Sequence, residues 1–236
     1  MKSVWILSIL LLANYAHAGI QLASTRVIYP VGKREVTLAV TSKDPAPRLI
    51  QSWIENDDAD APSANVPFII TPPIFRLNPD KGQTLRIIYT GGAVPQDRES
   101  VFWLNVLEIP PKPTGKNTGH IQLTVRSRLK LFYRPAGLKG SPKAAVAQLR
   151  WRLVREGQDY TLECENPSAF TVSFNHVGLT KTVKSEDERQ SGMCPARGHQ
   201  RFAVQATPVQ LAGGRLFFTT IDDYGGQHHH QATLSR

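Results

Sequence analysis

The chain has 236 residues, a formal net charge of +9 at pH 7 and two cysteines. This length accommodates one large domain or two domains of about a hundred residues each. After the first eighteen residues no apolar run is long enough to cross a membrane. The cysteines have neither C-x-x-C spacing nor a metal-ligand pattern around them, so the sequence excludes a later membrane-spanning helix and a cysteine-based metal site.

Residues 1–18 predict a secretory signal peptide. Lys2 provides a positive start, "VWILSILLLA" is an apolar run too short for a mature membrane anchor, and Ala16-His17-Ala18 is a small-x-small cleavage pattern. We therefore expect cleavage before Gly19 and an exported mature protein that is not inserted in a membrane. Because an exported basic protein meets little nucleic acid, carboxylates and anionic surfaces are better candidate partners.

Residues 19–137 predict the first of two β-sandwich domains. Short alternating segments are separated by proline and glycine clusters, and no long helical periodicity interrupts them. The expected strands are "IQLASTRVIYP", "EVTLAV", "RLIQSWIE", "FIITPPIFRL", "QTLRIIYT", "VFWLNVLEI" and the long stretch from His120 to Pro135. Seven strands in about 115 residues is typical of an antiparallel, immunoglobulin-like sandwich.

Residues 138–236 predict a second sandwich, because the strand pattern restarts after "RPAGLKGSPK". The expected strands are "QLRWRLVRE", "DYTLECEN", "FTVSFNHVGLT", "QRFAVQAT", "GRLFFTTID" and "QATLSR". Cys164 lies on the apolar side of "YTLECEN", and export favours oxidation, so we predict a structural disulfide between Cys164 and Cys194. The predicted fold class is all-β, with two immunoglobulin-like β-sandwich domains in series.

The stretch "HIQLTVRSRLKLFYRP" is unusually long and basic for a strand. Ile121, Leu123 and Val125 begin an apolar face, and lysine and arginine side chains occupy the opposite face. As one strand, "IQLTVRSRLKLFY" would extend over about 40 Å, which is longer than such a sandwich needs. Two interpretations stay open on the residues alone: a core strand with a solvated outer face, or an edge that pairs with a partner strand. In the second, Lys130 and Arg26 are candidates to hold a terminal carboxylate.

The sequence contains no signature of an enzyme. There is no G-x-S-x-G elbow, no H-E-x-x-H and no complete phosphate-binding loop. The run His228-His229-His230 could bind a metal in principle, but adjacent side chains of a strand point to opposite faces, which disfavours a site. We expect no catalysis, no cofactor and no metal.

Motifs along the first domain carry a resemblance to a known family. They are "STRVIYP", "QSWIEN", "PFIITPPIFRLNP", "LRIIYT", "PQDRESVFWLNVLEIPP" and "LKLFYRP", followed in the second domain by "ENPSAF" and "IDDYGG". The chain resembles the periplasmic pilus chaperones of the chaperone–usher pathway. The short segment between "EIPP" and "HIQL" is similar to the subclass with a short F1–G1 loop, which serves rod-like, adhesin-tipped pili.

The resemblance implies a boomerang arrangement of the domains and an assembly function without catalysis. Such a chaperone binds and stabilises pilus subunits by lending them a strand, and delivers them to an outer-membrane usher. Arg26 and Lys130 are then expected to anchor the C-terminal carboxylate of a subunit. Ile121, Leu123 and Val125 are expected to form the lent strand.

A charged group joining the two domains is also implied by the resemblance, and its members are Glu99, Arg134 and Asp223. The disulfide and the histidine run are not part of the pattern that the family shares. An exported immunoglobulin-like adhesin or pilus subunit and a polyanion-binding module stay as alternative functions. Self-association of the free protein through its lent strand also stays open.

Overall fold

The computed structural model describes residues 19–56, 66–112, 122–157, 159–180, 190–204 and 214–234, which form sixteen strands and one short helix. The strands of the first domain are β1 (Ile20–Leu22), β2 (Arg26–Pro30), β3 (Val36–Ser42), β4 (Arg48–Asn56), β5 (Phe68–Thr71), β6 (Ile74–Leu77), β7 (Gly82–Tyr89), β8 (Ser100–Ile109) and β9 (Val125–Arg134). Helix α1 (Pro142–Val146) comes next, and the predicted domain boundary after Gly137 falls between β9 and α1.

The second domain contains β10 (Arg150–Glu156), β11 (Asp159–Asn166), β12 (Val172–Gly178), β13 (Gln190–Cys194), β14 (Gly198–Val204), β15 (Arg215–Ile221) and β16 (Gln227–Thr233). Within the described ranges, no helix has the length and apolar character needed to cross a membrane. The predicted all-β fold with two domains in series is confirmed.

Two sheets pack face to face in the first domain, with strand orders β1-β3-β7-β5 and β2-β9-β8-β4-β6. Alternate residues of the strands point inward, so that Leu38, Leu85 and Leu131 are fully buried between the sheets. Tyr29 lies in the same core, where its hydroxyl donates a hydrogen bond of 2.9 Å to the Lys33 carbonyl. Pairing is antiparallel except between β2 and β9, which run parallel.

The second domain has sheets with strand orders β10-β11-β14 and β13-β12-β15-β16. Trp151 lies at the centre of its core and packs against Phe174, with ring centroids 5.6 Å apart. The predicted disulfide between Cys164 and Cys194 is present and buried, and it joins β11 of one sheet to β13 of the other. The two sheets are therefore held together covalently as well as by packing.

Two segments predicted as single strands are each divided between the two sheets. "IQLASTRVIYP" forms β1, which pairs with β3, and β2, which pairs with β9. "FIITPPIFRL" forms β5, which pairs with β7, and β6, which pairs with β4. In the second case the two prolines between the strands lack N–H donors, so one continuous ladder cannot form there.

The long basic strand is shorter than predicted. β9 begins at Val125, whereas Gln122, Leu123 and Thr124 precede it without strand pairing. Its neighbour β8 ends at Ile109 and is followed by two prolines that cannot donate to a ladder. Ile121 lies outside the described residues, as does 113–120, so the predicted short loop stays a prediction.

Three features of the second domain escaped the sequence prediction. Helix α1 was not predicted, although Ser141 caps it by accepting a hydrogen bond of 3.1 Å from the Ala144 N–H and Pro142 follows the cap. Strand β13 was not predicted, because "QSGMC" has little apolar alternation. Strand β16 begins at Gln227, four residues before the predicted "QATLSR", and therefore includes the histidine run.

Candidate functional site

Strand β9 has an open edge along its first half. Antiparallel pairing with β8 covers the strand up to its next-to-last residue, from Val125 opposite Glu108 to Tyr133 opposite Ser100. Parallel pairing with β2 covers only 130–134. Among the described residues, 125–129 therefore have no strand on their second side, and their backbone groups on that side can pair with another strand.

The open edge exists because the chain changes sheets just before β2. β1 lies in the opposite sheet, where Leu22 pairs with Val40, and the Ala23 N–H still bonds to the Ala39 carbonyl at 3.0 Å. Only from Arg26 onward does the chain run beside β9. The length of β2 thus sets how much of β9 stays uncovered.

Apolar side chains are exposed beside this edge. Leu123 is 76% exposed and Val125 is 56% exposed, whereas Leu129 and Leu131 farther along the same face are buried in the core. With a side-chain period of two, this row continues the core of the domain outward into solvent. Two of the three residues predicted for the lent strand are thus placed at the open edge, and Ile121 is not described.

Arg26 and Lys130, predicted to act together, are register partners in the parallel pairing of β2 and β9. Both reach the second domain: Arg26 Nη1 donates to the Ile221 carbonyl at 3.2 Å, and Lys130 Nζ lies 3.3 Å from Ser173 Oγ and 3.5 Å from the Gly192 carbonyl. The two cations therefore lie side by side where the open edge ends and the second domain begins.

The Arg26 guanidinium is buried and incompletely bonded. Arg26 is 8% exposed, and its Nε has no hydrogen-bond partner among the described residues. Burial lowers the pKa of Arg26, and the negative charges of Asp223 and Asp222 oppose that shift. Because an arginine stays charged in proteins, this N–H is a buried donor that the described residues leave unused.

The predicted charged group is assembled between the two domains. Arg134 Nε donates to Glu99 Oε1 at 2.5 Å, and the Arg134 Nη1 and Nη2 groups donate to the two Asp223 oxygens at 2.8 and 3.0 Å. Glu99 also accepts the Thr171 N–H of the second domain at 2.9 Å. One arginine and two carboxylates, with a backbone donor, therefore fasten the end of β9 to the second domain.

Burial and the neighbouring charges act in opposite directions on the pKa values of Glu99 and Arg134. It raises the pKa of Glu99, against the opposing effects of Arg134 and the Thr171 N–H. Burial alone lowers the pKa of Arg134, but the hydrogen bonds and charges of Asp223 and Glu99 outweigh it and the net pKa is raised. Arg134 is therefore a permanent cation around which the two carboxylates are arranged.

The three consecutive histidines have separate partners. Nitrogen atoms of His228, His229 and His230 share hydrogen bonds with Asp222 Oδ2 at 2.8 Å, Thr219 Oγ1 at 2.9 Å and Thr220 Oγ1 at 2.8 Å, respectively. In the described part of the chain, no three histidine, cysteine, aspartate or glutamate side chains are grouped so that they could hold a metal ion.

Sequence reasoning missed the neutral partners of the cleft and one aromatic neighbour. Ser173 and Gly192, which contact Lys130, lie in the second domain and have no local signal, because only the docking of the domains brings them near β9. Trp103 of β8 contacts a cation of β9: the Arg128 guanidinium carbon lies 4.0 Å from the centroid of its ring. The apolar alternation of "VFWLNVLEI" is enough to predict that Trp103 lies on the outer face of its strand. It does not predict the contact with Arg128, because that contact depends on how β8 and β9 pair.

Both domains match known protein families. Residues 19–139 match the family described as pili and flagellar-assembly chaperone, PapD N-terminal domain, and residues 144–232 match pili assembly chaperone PapD, C-terminal domain. The chaperone protein FimB/FhaD of Bordetella pertussis (strain Tohama I) is 40% identical over 235 residues, which cover 95% of this chain and 91% of that protein.

Solved structures show the same similarity. A chain of the Salmonella enterica SafA pilin in complex with the SafB chaperone gives a TM-score of 0.75 at 30% identity, covering 92% of this chain and 96% of that chain. The periplasmic chaperone SfaE gives a TM-score of 0.70 at 36% identity, covering 91% of this chain and 98% of that chain. With both domains matched in order, the chain belongs to the PapD family of pilus assembly chaperones of the chaperone–usher pathway.

Proposed function

We propose that this chaperone binds pilus subunits by lending them the first part of β9, as a missing strand of an incomplete sandwich. The observation that carries the proposal is the open edge at 125–129, flanked by exposed Leu123 and Val125. Backbone hydrogen bonds along the edge would supply affinity, and the alternate apolar side chains would enter the subunit. Burying each of these side chains contributes about 1.5–3 kcal/mol before the cost of ordering both partners.

We infer that Arg26 and Lys130 hold the C-terminal carboxylate of the subunit and so fix its register. Arg26 and Lys130 lie level with each other where the open edge ends, so a carboxylate at the end of a partner strand would meet two positive charges. Ser173 Oγ and the Gly192 carbonyl, which now contact Lys130, are neutral acceptors, and a carboxylate would be a stronger one. A carboxylate bound there would set which residues of the subunit meet Leu123 and Val125.

We place the mature protein in the periplasm, where it would deliver its subunit to an outer-membrane usher. The predicted signal peptide supports export, and SfaE, which shares both domains, is a periplasmic chaperone. The complex of SafA pilin with the SafB chaperone supports a pilus subunit as the cargo. Membership of a chaperone family is consistent with a protein that performs no catalysis.

The alternative functions have less support. A polyanion-binding module needs uncompensated cations, but on the outer face of β10 and β11 Arg152 pairs with Glu163 at 2.7 Å and Arg150 with Glu165 at 3.4 Å. An adhesin or pilus subunit would itself lack a strand, whereas both sheets of the first domain are formed here.

Co-purification with subunits tests the proposal. The chain would be co-expressed with pilin-like subunits of the same bacterium, and recovery of the complex compared between wild type, Arg26→Ala and Lys130→Ala. Both variants should stay folded, with unchanged circular dichroism, and lose most of the subunit. Lys143→Ala, which removes an exposed cation of α1, is the matched control and should retain it. Wild-type recovery by both cleft variants would contradict the carboxylate clamp.

A further inference from the structure

The outer face of β9 carries a row of cations that the carboxylate clamp does not use in full. Arg126, Arg128 and Lys130 alternate with the inward-facing residues and therefore point to the same side of the sheet. Lys130 belongs to the clamp, and the other two precede it along the open edge. Any strand that pairs with this edge places side chains next to these arginines.

Arg128 is already neutralised. Its Nε lies 3.0 Å from Glu55 Oε1, and its guanidinium carbon lies 4.0 Å from the ring centroid of Trp103. Both partners lie on the side of β8 and β4, away from the open edge. The side chain is therefore directed across the sheet and its charge is offset by a carboxylate.

Arg126 is exposed and has no hydrogen-bond or ion-pair partner in the described part of the chain. Arg126 faces Leu107 of β8, and the residue that follows Leu107 in that strand is acidic, Glu108. The Glu108 carboxylate points to the other face, where it accepts the Ile20 N–H at 3.1 Å and lies 3.3 Å from Arg48 Nε. In the described part of the chain, the Arg126 guanidinium is therefore a positive charge without a counter-charge, and it lies beside the open edge that would pair with the partner strand.

The register of β2 indicates which partner residue meets this charge. A strand that enters the open edge with its carboxylate at Arg26 and Lys130 must run parallel to β9, in line with β2. Because Arg26 already occupies the position level with Lys130, the partner's last residue lies level with Leu129, and its carboxylate is next to the two cations. Counting back along a parallel pair, the residue level with Arg126 is the third before the last and lies on the same outer face.

We propose that Arg126 selects subunits with an acidic side chain at the third residue before their last residue; this inference rests on the proposed function, and in particular on the carboxylate clamp. Opposite charges on directly facing strand residues attract, and like charges repel. An acidic residue there should tighten binding about two- to fivefold relative to a neutral one, and a lysine should weaken it by a similar factor.

Synthetic strand peptides test the preference directly. Three peptides of alternating valine and threonine with a free carboxylate would carry glutamate, glutamine or lysine at the third residue before the last. Their affinities for the mature chain would be measured by fluorescence anisotropy, with wild type, Arg126→Gln, Arg126→Glu and Arg128→Gln. Arg128→Gln is the matched control, since it removes the same charge from the same face of the same strand.

We expect wild type and Arg128→Gln to prefer the glutamate peptide, Arg126→Gln to bind all three peptides equally, and Arg126→Glu to prefer the lysine peptide. Unchanged glutamate preference in Arg126→Gln would overturn the assignment. Carboxyl-amidated peptides separate the two proposals. Equal affinity of amidated and free-acid peptides would contradict the clamp and, with it, the register assigned to Arg126. Weaker binding of the amidated peptides without any glutamate preference would overturn the Arg126 assignment alone. If no free-acid peptide binds the wild type, the proposed function and this inference both fail.

Discussion

At the scale of single residues, Arg26 is the least expected feature of the site. A buried arginine normally uses its donors on carboxylates or carbonyls, yet here one N–H group is unmatched while another bonds to a backbone carbonyl of the second domain. An unmatched buried donor costs stability. Arg26 therefore lowers the stability of the chaperone while it places a positive charge beside Lys130.

Substitutions at Leu123 and Val125 should weaken subunit binding without destabilising the fold. Both are exposed, so the double variant Leu123→Asp/Val125→Asp should change the free energy of unfolding by less than about 1 kcal/mol. It should lose most subunit binding, because charged side chains cannot enter the apolar groove of a subunit. Urea unfolding and co-purification measure the two effects. Leu131→Ala, at a fully buried position of the same strand, should instead destabilise the chain by about 2–5 kcal/mol. Retained subunit binding by the double variant would contradict the lent-strand model.

His230 should make the second domain sensitive to acid. Its ring stacks on Phe218, with centroids 5.0 Å apart, and burial together with the charges of His228 and His229 lowers its pKa below the ordinary 6.5. A lowered histidine pKa contributes stability that is present above the unfolded pKa and lost as the pH falls through the folded pKa. Melting temperatures at pH 7.5 and 5.5 should therefore differ less in His230→Gln than in the wild type. An equal drop in both proteins would rule out this role.

At the scale of elements, the disulfide is the main covalent constraint of the second domain. It joins β11 to β13 across a sequence separation of 30 residues. The chain-entropy model gives a contribution of about 3–4 kcal/mol for a loop of this size. Cys164→Ala/Cys194→Ala should lower the free energy of unfolding by about that amount in urea, and the wild type should match it once reduced. A loss below about 1 kcal/mol would show that core packing alone holds β13.

The elements show what a sequence can predict and where it stops. Apolar alternation placed most strands. The family resemblance named Arg26 and Lys130 as a pair, and the two residues are register partners in the structure, whereas their role as a carboxylate clamp stays a prediction. The division of "IQLASTRVIYP" between two sheets was not predicted, because the whole segment reads as extended and only tertiary pairing distinguishes β1 from β2. That division creates the open edge. The local pattern left such an edge as one of two interpretations, and only the strand pairing shows which residues form it.

At the scale of the whole molecule, charged side chains and one backbone hydrogen bond connect the domains beside the contacts of Arg26 and Lys130. Arg134 bonds to Glu99 and Asp223, and Asp97 of the first domain pairs with Arg197 of the second at 2.5 Å. The Glu99 N–H also bonds to the Ala169 carbonyl at 2.9 Å. These contacts bring the second domain to the end of β9, where Lys130 and Arg26 reach it.

Removing Arg134 should leave Glu99 buried without its main counter-charge. Arg134→Ala is expected to cost about 3 kcal/mol of stability at pH 7.5, and the double variant Arg134→Ala/Glu99→Gln should recover part of that loss. Burial already raises the pKa of Glu99, and a raised carboxyl pKa makes stability fall as the pH rises through it. The cost in Arg134→Ala should therefore be smaller at pH 5 than at pH 7.5 in urea unfolding. A cost that is equal at both pH values would contradict a buried, charged Glu99.

Hydrogen exchange along β9 tests the central claim most directly, since the claim is that a subunit adds a strand to the open edge. Backbone amide exchange of the mature chain would be measured alone and in complex with a co-purified subunit. Exchange within 125–129 should slow at least about tenfold in the complex, and β16, an edge strand of the second domain, should be unchanged and serve as the internal control. Unchanged exchange at 125–129 in a complex that shows protection elsewhere would contradict the account.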